Sequence, residues 1–452
     1  MRIVVLHAGG IGDLVLVESL FSALREQHPD ASLELVCRAD VAPVAALYAR
    51  PPDAVHPFGF NPYRWALPDD RAALQAQTLL QRLSGPVELF VSAELRATWL
   101  SEILAAALAP HEAVISDERE PHPSDLLLLL GRLKLERNRG VRRPEAISGE
   151  HELDRYARLA GTSARRRPAL KTPRKRKGAA ELAVFPLSAG RINRWPLDAM
   201  GRAALRLAGA HQAKIVLFGG EDNRAEIEAA AAAGLFGAGA QIVIGRPDDI
   251  PAVAARIAAA AAYLGIDTGL VHLAAAYGVP GVAVFGGGHW PTYAPWSPRS
   301  AAVVAPIPCF GCEWDCTFDR PFCIEAVDVD SVIGAFEEAY GDSSDAPQVR
   351  TLDPYDARER EIFGAAALVH RAAQGDRAAR LTAITRLREM LGRYARRARA
   401  RTRKSNVLLA SLADTTVRAA LRLDEARSGG PRGLGPPVAD TTRSHEMRTE
   451  KA

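Results

Sequence analysis

Arg2-Ile3-Val4-Val5-Leu6-His7-Ala8-Gly9-Gly10-Ile11-Gly12-Asp13 opens the chain with an apolar run, a glycine turn and an acidic residue. Behind it Leu14, Val17, Leu20, Phe21 and Leu24 recur at helical spacing, which predicts an amphipathic helix entered from a strand. Pro29-Asp30 ends that helix, and Leu33-Glu34-Leu35-Val36 reads as the next strand. The alternation continues with strands at 87–91 and 113–115 and helices at 69–83, 94–108 and 124–136. A βαβα order implies a parallel sheet with helices on both faces.

Residues 162–180 break the pattern. Arg165-Arg166-Arg167-Pro168 and Pro173-Arg174-Lys175-Arg176-Lys177-Gly178 are basic and poor in apolar residues, as in a linker or exposed loop. The βα pattern then restarts. Strands are expected at 182–185, 214–218, 241–244, 262–266 and 282–285, with helices at 197–209, 222–233, 251–261, 269–277 and 331–340. The reading is an α/β protein of two Rossmann-like parallel-sheet domains facing a cleft, spanning 1–161 and 181–345 around the 162–180 linker. A basic helical extension is expected at 346–426, with the dense run Arg393, Arg396, Arg397, Arg399, Arg401, Arg403 and Lys404. The Gly- and Pro-containing tail 427–452 reads as disordered. Ligands of such sheets bind at the carboxyl ends of the strands, so both halves can serve one site.

Composition narrows the function classes. The chain has 452 residues, 48% of them hydrophobic and 24% charged, the balance of a globular protein with room for a large core. A net charge of +4 is too small to argue for nucleic acid. The first strand is too short for a signal peptide, and no run reaches the roughly 18 apolar residues of a membrane span. A cytoplasmic location is therefore expected. Five cysteines in such a chain read as thiols or metal ligands. Four of them, Cys309, Cys312, Cys316 and Cys323, offer sulfurs that can close a tetrahedral site. The second C-x₂-C pair usual for zinc is missing, so the expectation is a structural cluster without metal.

The glycine turn is not a dinucleotide fingerprint. Val15 stands where the third glycine of G-x-G-x-x-G belongs, and Cys37-Arg38 replaces the acidic residue at the end of the second strand. Asp13 reads either as the helix N-cap or as a general base on the floor of the cleft. In the second half, Ser188-Ala189-Gly190-Arg191-Ile192-Asn193-Arg194-Trp195-Pro196 joins a strand to a helix and supplies a hydroxyl and two arginines, groups that suit phosphate oxygens. Glu221 follows the strand ending in Gly219-Gly220 and suits a ribose or base, or merely the helix dipole. Gly265-Ile266-Asp267-Thr268-Gly269-Leu270-Val271-His272 is the sharpest segment. A strand ends at Asp267, a helix starts near Gly269, and its free N–H groups face any phosphate there. Gly286-Gly287-Gly288-His289 makes a further loop of close approach.

Gly10-Ile11-Gly12-Asp13, Arg194-Trp195-Pro196, Gly219-Gly220-Glu221 and Asp267-Thr268-Gly269…His272-Leu273-Ala274-Ala275, in this order, give the chain a resemblance over about 2–340. It resembles glycosyltransferase family nine, the ADP-heptose:lipopolysaccharide heptosyltransferases. The resemblance implies a GT-B fold and an inverting transfer from an ADP-sugar to a hydroxyl of a saccharide or glycolipid acceptor, with no obligatory cofactor. Asp13 is similar to the family's catalytic base, with Gly10 and Gly12 in the turn near the acceptor. Ser188, Asp267, Thr268, Gly269 and His272 match its donor contacts, and Glu221 its nucleoside contact; Arg194 would add a charged bond to the diphosphate. The sequence departs from the family where Asn193 replaces a lysine and Phe185-Pro186-Leu187 replaces His-Pro-Gly.

A lipid-anchored acceptor would bring the enzyme to an anionic membrane face, where the basic segments at 165–177 and 393–404 gain electrostatic attraction. The competing reading is a non-catalytic scaffold on a transferase fold, docking to membranes or partners through the basic extension. Intact Asp13, Asp267 and His272 favour the enzyme.

Overall fold

The structure, a computed structural model, describes residues 1–63, 70–95, 97–115, 140–144, 147, 149–171, 180–188, 190, 192–288, 290–312, 314, 316, 318, 320–341 and 347–373. The helix expected at 124–136, the second half of the basic linker, Arg191, His289, the 393–404 run and the tail lie outside the described residues.

Two fully parallel sheets form. The first has six strands in the order β3-β2-β1-β4-β5-β6, with β1 Arg2–His7, β2 Ser32–Arg38, β3 Ala54–Phe58, β4 Leu89–Ser92, β5 Glu112–Ile115 and β6 Val141–Arg142. The second has seven, ordered β13-β12-β11-β10-β7-β8-β9. Its strands are β7 Glu181–Phe185, β8 Lys214–Gly220, β9 Gln241–Gly245, β10 Ala262–Ile266, β11 Gly281–Phe285, β12 Ser300–Val304 and β13 Gln348–Thr351. The helices used below are α1 Ile11–Gln27, α2 Asp70–Arg82, α3 Trp99–Leu108, α4 Glu152–Leu159, α5 Leu197–Ala210, α6 Arg224–Ala232, α7 Ile250–Ala258, α8 Gly269–Ala276, α9 Phe322–Glu325, α10 Val329–Gly341 and α11 Ala357–Ala373. No helix of the described residues is long and apolar enough to cross a membrane.

The central strands read as continuous apolar runs because both of their faces are covered. Ile3, Val4, Val5 and Leu6 are all fully buried, as are Ala183, Val184 and Phe185. Helix α1 shows why it sits in the middle of the molecule. Leu14, Val15, Leu16, Val17, Leu20 and Phe21 are buried around most of its circumference, the mark of an internal helix. It packs on α4 and on α8 of the second half, and one apolar cluster takes residues from both sheets.

Three differences from the sequence reading have clear causes. Helix α3 begins at Trp99, not 94, because Thr98 caps it: its hydroxyl accepts from the Ser101 amide. Residues 93–95 and 97–98 therefore lie outside the helix, after the carboxyl end of β4. Gln348–Thr351, read as part of the helical extension, instead pair with Ala301–Val304 as an edge strand. The β12 run Ser-Ala-Ala-Val-Val is buried throughout but its small residues left it unrecognised.

The chain divides into two compact units, Met1–Cys316 with Arg320–Pro354, and Thr317–Asp319 with Tyr355–Ala452. In the second unit α11 carries Phe363, whose ring contacts Phe318 and Tyr355 at centroid distances of 5.4 and 4.8 Å.

Candidate active site

In each sheet the strand order reverses beside one strand, and ligands of open α/β sheets bind at the carboxyl edge of that reversal. In the first sheet the reversal lies between β1 and β4. β1 ends in His7 and the chain turns through Ala8, Gly9 and Gly10 into α1. Gly10, not Asp13, is the cap. Asp13 sits at the third helical position, and its Oδ2 accepts the Gly10 amide at 2.6 Å. The Gly9 amide donates to His7 Nδ1 at 2.9 Å. Both turn amides are thus spoken for by side chains, which removes the phosphate cradle a dinucleotide would require.

In the second sheet the reversal lies between β7 and β10. Ser188 follows β7, buried to 8% exposure, and its hydroxyl bonds Asn193 Oδ1 and Gly190 O. Asn193 Nδ2 donates to the Asp267 carbonyl at 3.2 Å, tying this loop to the end of β10. Thr268 holds the extended cap position of α8 and its hydroxyl makes no capping bond; the Val271 amide donates to the Thr268 carbonyl at 3.0 Å, which leaves the Gly269 and Leu270 amides as the first-turn donors without an intrahelical partner. Glu221 lies one strand over, exposed in a turn after β8 and held bidentate by Arg224 at 2.7 and 2.8 Å.

Arg194 is placed differently from the phosphate contact expected. Its guanidinium donates to the Ser188 and Gly190 carbonyls, to Asn223 Oδ1 and to Glu226, with the side chain only 14% exposed. It shapes the loop, and Glu226 neutralises its charge.

The two reversals meet. A Cβ on Gly12 would stand 2.7 Å from His272 Cδ2 and 3.0 Å from Gly269 Cα, and one on Gly269 would stand 2.7 Å from the Gly12 nitrogen. Glycine at both positions lets the first turns of α1 and α8 touch. Asp13 and Asp267 come near each other as a result. Burial first, and then the Asp13 charge, push the Asp267 carboxyl up to about 7. His272 is buried, and burial with the neighbouring His151 lowers it to about 4, so the ring is neutral. The Tyr63 and Tyr293 phenols, one following each sheet's strands, both feel the Asp13 charge.

Several residues of this centre escaped the sequence reading. Glu94 follows β4, is fully buried, and accepts from Thr98 Oγ1 at 3.0 Å and Ser92 Oγ at 3.3 Å; burial pushes it up to about 8. Arg155 of α4, also buried, pairs with Glu152 and donates to the Ala93 and Glu94 carbonyls at 2.6 and 3.1 Å. Tyr156 reaches His7 at 3.0 Å across 149 positions of sequence. Only the Thr98–Ser101 cap signal could have shifted the helix start and exposed Glu94 as a crevice residue.

The first arginines of the expected linker are not solvated surface. Arg165 pairs with Asp154 and lies 3.7 Å over the Trp296 ring, Arg166 pairs with Glu26, and Arg167 donates to the Ala275 carbonyl at 2.9 Å. The Ala169 amide donates to Glu18, and Leu170 bridges to Tyr48. This segment binds to both halves. The cysteine cluster packs its loop on the glycine loop after β11, where the Gly311 amide donates to the Gly287 carbonyl. Burial and the neighbouring thiols raise Cys309, and burial raises Cys323 to about 11. Among the described residues no three His, Cys, Asp or Glu side chains are grouped to hold a metal ion.

Residues 150–317 match Glycosyltransferase family 9 (heptosyltransferase). This segment is similar to family 9 glycosyltransferases. The family 9 match covers Ser188, Glu221, Asp267, Thr268, Gly269 and His272, while the Gly10–Asp13 turn lies before it. A search of curated proteins finds no match. Among solved structures, the E. coli heptosyltransferase WaaC with ADP is similar at a TM-score of 0.55 and 18% identity, over 75% of this chain and 100% of that one. E. coli ADP-heptose lps heptosyltransferase II gives 0.56 and 16%, over 75% and 98%. WaaC with ADP-2-deoxy-2-fluoro heptose gives 0.53 and 18%, over 75% and 99%. At these identities the likeness shows the fold, a GT-B arrangement of two parallel-sheet halves; the family 9 match makes the protein a glycosyltransferase.

Proposed function

We propose that the protein transfers a heptose-like sugar from an ADP-linked donor to a hydroxyl of a saccharide or glycolipid acceptor, with inversion and with Asp13 as general base. The observation that carries this reading is the contact of the α1 and α8 first turns, with Asp13 on one and the donor-side Asp267 beside it. The E. coli relatives bound to ADP and to an ADP-heptose analogue support the donor class. In this scheme the Gly269 and Leu270 amides of α8 and the Thr268 hydroxyl take the departing diphosphate. Asp267 and neutral His272 contact the sugar, Ser188 and Asn193 order the loop behind it, and Glu221 meets the nucleoside. Asp13 takes the acceptor proton as the hydroxyl attacks the anomeric carbon.

Thermal-shift screening against ADP, UDP, GDP and TDP sugars, ADP alone and NAD tests the reading, because a ligand that binds only the native state raises its melting point. ADP-heptose should give the largest rise and ADP a smaller one. A rise with NAD and none with any nucleotide-sugar would overturn the proposal.

Donor binding should also depend on pH. An anion placed beside Asp267 favours its protonated form, so the carboxyl's pKa in the complex lies above the value of about 7 in the free protein. Binding then takes up protons, and affinity falls as pH rises through 7. Calorimetry with ADP in two buffers of different ionisation enthalpy, from pH 6 to 8.5, measures both. Equal heats in the two buffers and a flat affinity would separate Asp267 from the diphosphate.

A further inference from the structure

The turn that carries Asp13 is held from behind. The Gly9 amide donates to His7 Nδ1 at 2.9 Å, so that nitrogen carries no proton. His7 is 2% exposed, and burial lowers it to about 4; the ring is neutral and its proton sits on Nε2. Nε2–H then donates to the Tyr156 hydroxyl at 3.0 Å. Burial, and then the Glu152 charge, hold the Tyr156 hydroxyl well above its ordinary range, so it stays protonated; Glu152 is locked to Arg155 at 2.7 Å through Nε. All four side chains are essentially inaccessible to solvent. Helix α4, which bears the last three, is anchored on the second half: the Glu152 amide donates to the Thr292 carbonyl and His151 Nε2 to the Ala294 carbonyl, both at 2.9 Å.

We propose that His7 is a positioning residue for the transfer, the middle link of a buried hydrogen-bond chain Gly9–His7–Tyr156 that fixes the Gly9–Gly10 turn and so aims Asp13 at the acceptor. The proposal rests on the reading of Asp13 as base. Its logic is that of any preorganised centre. The Asp13 carboxylate is oriented by the Gly10 amide, the adjoining Gly9 amide by His7, and a buried chain whose members are all satisfied is rigid. The chain also makes the aim of Asp13 depend on the docking of α4 against residues 292–294, that is, on the two halves being together.

The test uses the full chain with ADP-heptose and follows donor hydrolysis without acceptor and transfer with it. His7→Phe removes both bonds and should lower kcat by about 10²-fold, the cost of a displacement of roughly 1 Å, with the donor KM held, since the donor is read as bound by the second half. Tyr156→Phe should lower kcat less, in the same pattern. His7→Asn keeps an acceptor at the Nδ1 position and should recover most of the loss, whereas His7→Gln should not. Wild-type kcat in folded His7→Phe and Tyr156→Phe would overturn the proposal, as would a rise of donor KM in step with the fall in kcat. Should the wild-type protein turn over no ADP-sugar, the transferase reading fails by itself. The chain is then judged by the ¹⁵N shifts of the His7 ring, assigned by difference with His7→Asn. Protonated Nε2, bare Nδ1 and no titration between pH 5.5 and 8 are expected. A ring that titrates near 6.5, or the opposite tautomer, refutes it.

Discussion

Asp13→Asn is expected to lower transfer by about 10²–10⁴-fold, the usual contribution of a positioned base, while leaving donor binding and the fold in place. The substitution is discriminating because of where Asp13 sits. Its Oδ2 accepts the Gly10 amide at 2.6 Å, a bond that an Asn carbonyl oxygen can also accept. What Asn gives up is the negative charge at the start of α1, worth about 0.3–1 kcal/mol with the helix dipole, and the ability to take a proton. Stability should fall by no more than that. A second effect follows from the pairing of carboxyls. With the Asp13 charge gone, the Asp267 carboxyl should drop below its value of about 7, so the pH dependence of ADP affinity should move to lower pH in the mutant. Steady-state transfer and ADP calorimetry on one preparation decide the matter. Undiminished turnover would remove Asp13 from the mechanism.

Gly269→Ala should be nearly as damaging, for a purely spatial reason. The added methyl would stand 2.7 Å from the Gly12 nitrogen and 3.1 Å from Ile11 Cβ. A backbone atom is the obstacle, so no side-chain rotation relieves it and the two helix ends must separate. Forcing such a methyl into a packed contact costs about 1–3 kcal/mol. A shift near 1 Å between Asp13 and the donor-side residues costs turnover on the order of 10²-fold. Gly12→Ala, facing His272 Cδ2 and Gly269 Cα, should act in the same direction. Gly209→Ala in α5 is the control: nothing lies within 4 Å of its added methyl, and alanine favours a helix by about 1 kcal/mol over glycine. It should melt slightly higher and turn over normally. Normal kcat in Gly269→Ala would mean that the contact of α1 and α8 plays no part in catalysis.

The legible part of the molecule was the part in which one local signal coincides with another. Gly265–His272 joins an apolar strand, a cap position and a helix in eight residues, and β10 and α8 fall where that pattern puts them. Asp13 was legible as part of the α1 start for the same reason, although it stands three positions beyond the cap, which Gly10 takes. Arg194 was misjudged because a sequence shows a positive charge but not the carbonyls and the Glu226 carboxylate that consume it. Glu94 was lost inside an apolar-looking helix start. His7 and Tyr156 were beyond reach because their partnership spans some 150 residues and leaves no periodic trace. Short edge strands such as Gln348–Thr351 carry too few residues for alternation to register.

The segment from His151 to Leu170 bears on attempts to build hybrid enzymes. Its second part, 162–170, belongs to the stretch that reads in sequence as the linker between two modules, and a chimera that exchanges the nucleotide-sugar half for another would naturally be cut there. In the folded protein it is stitched to both sides. Helix α4 grips the residues after β4 while resting on Thr292 and Ala294; Arg165 lies on Trp296, Arg167 closes the end of α8, and Ala169 is tied to Glu18. A foreign half grafted at residue 161 or 181 would meet a native seam that no longer recognises it. Exchange of donor preference in this scaffold therefore requires that the 292–297 loop be kept native, or that the seam travel with the graft.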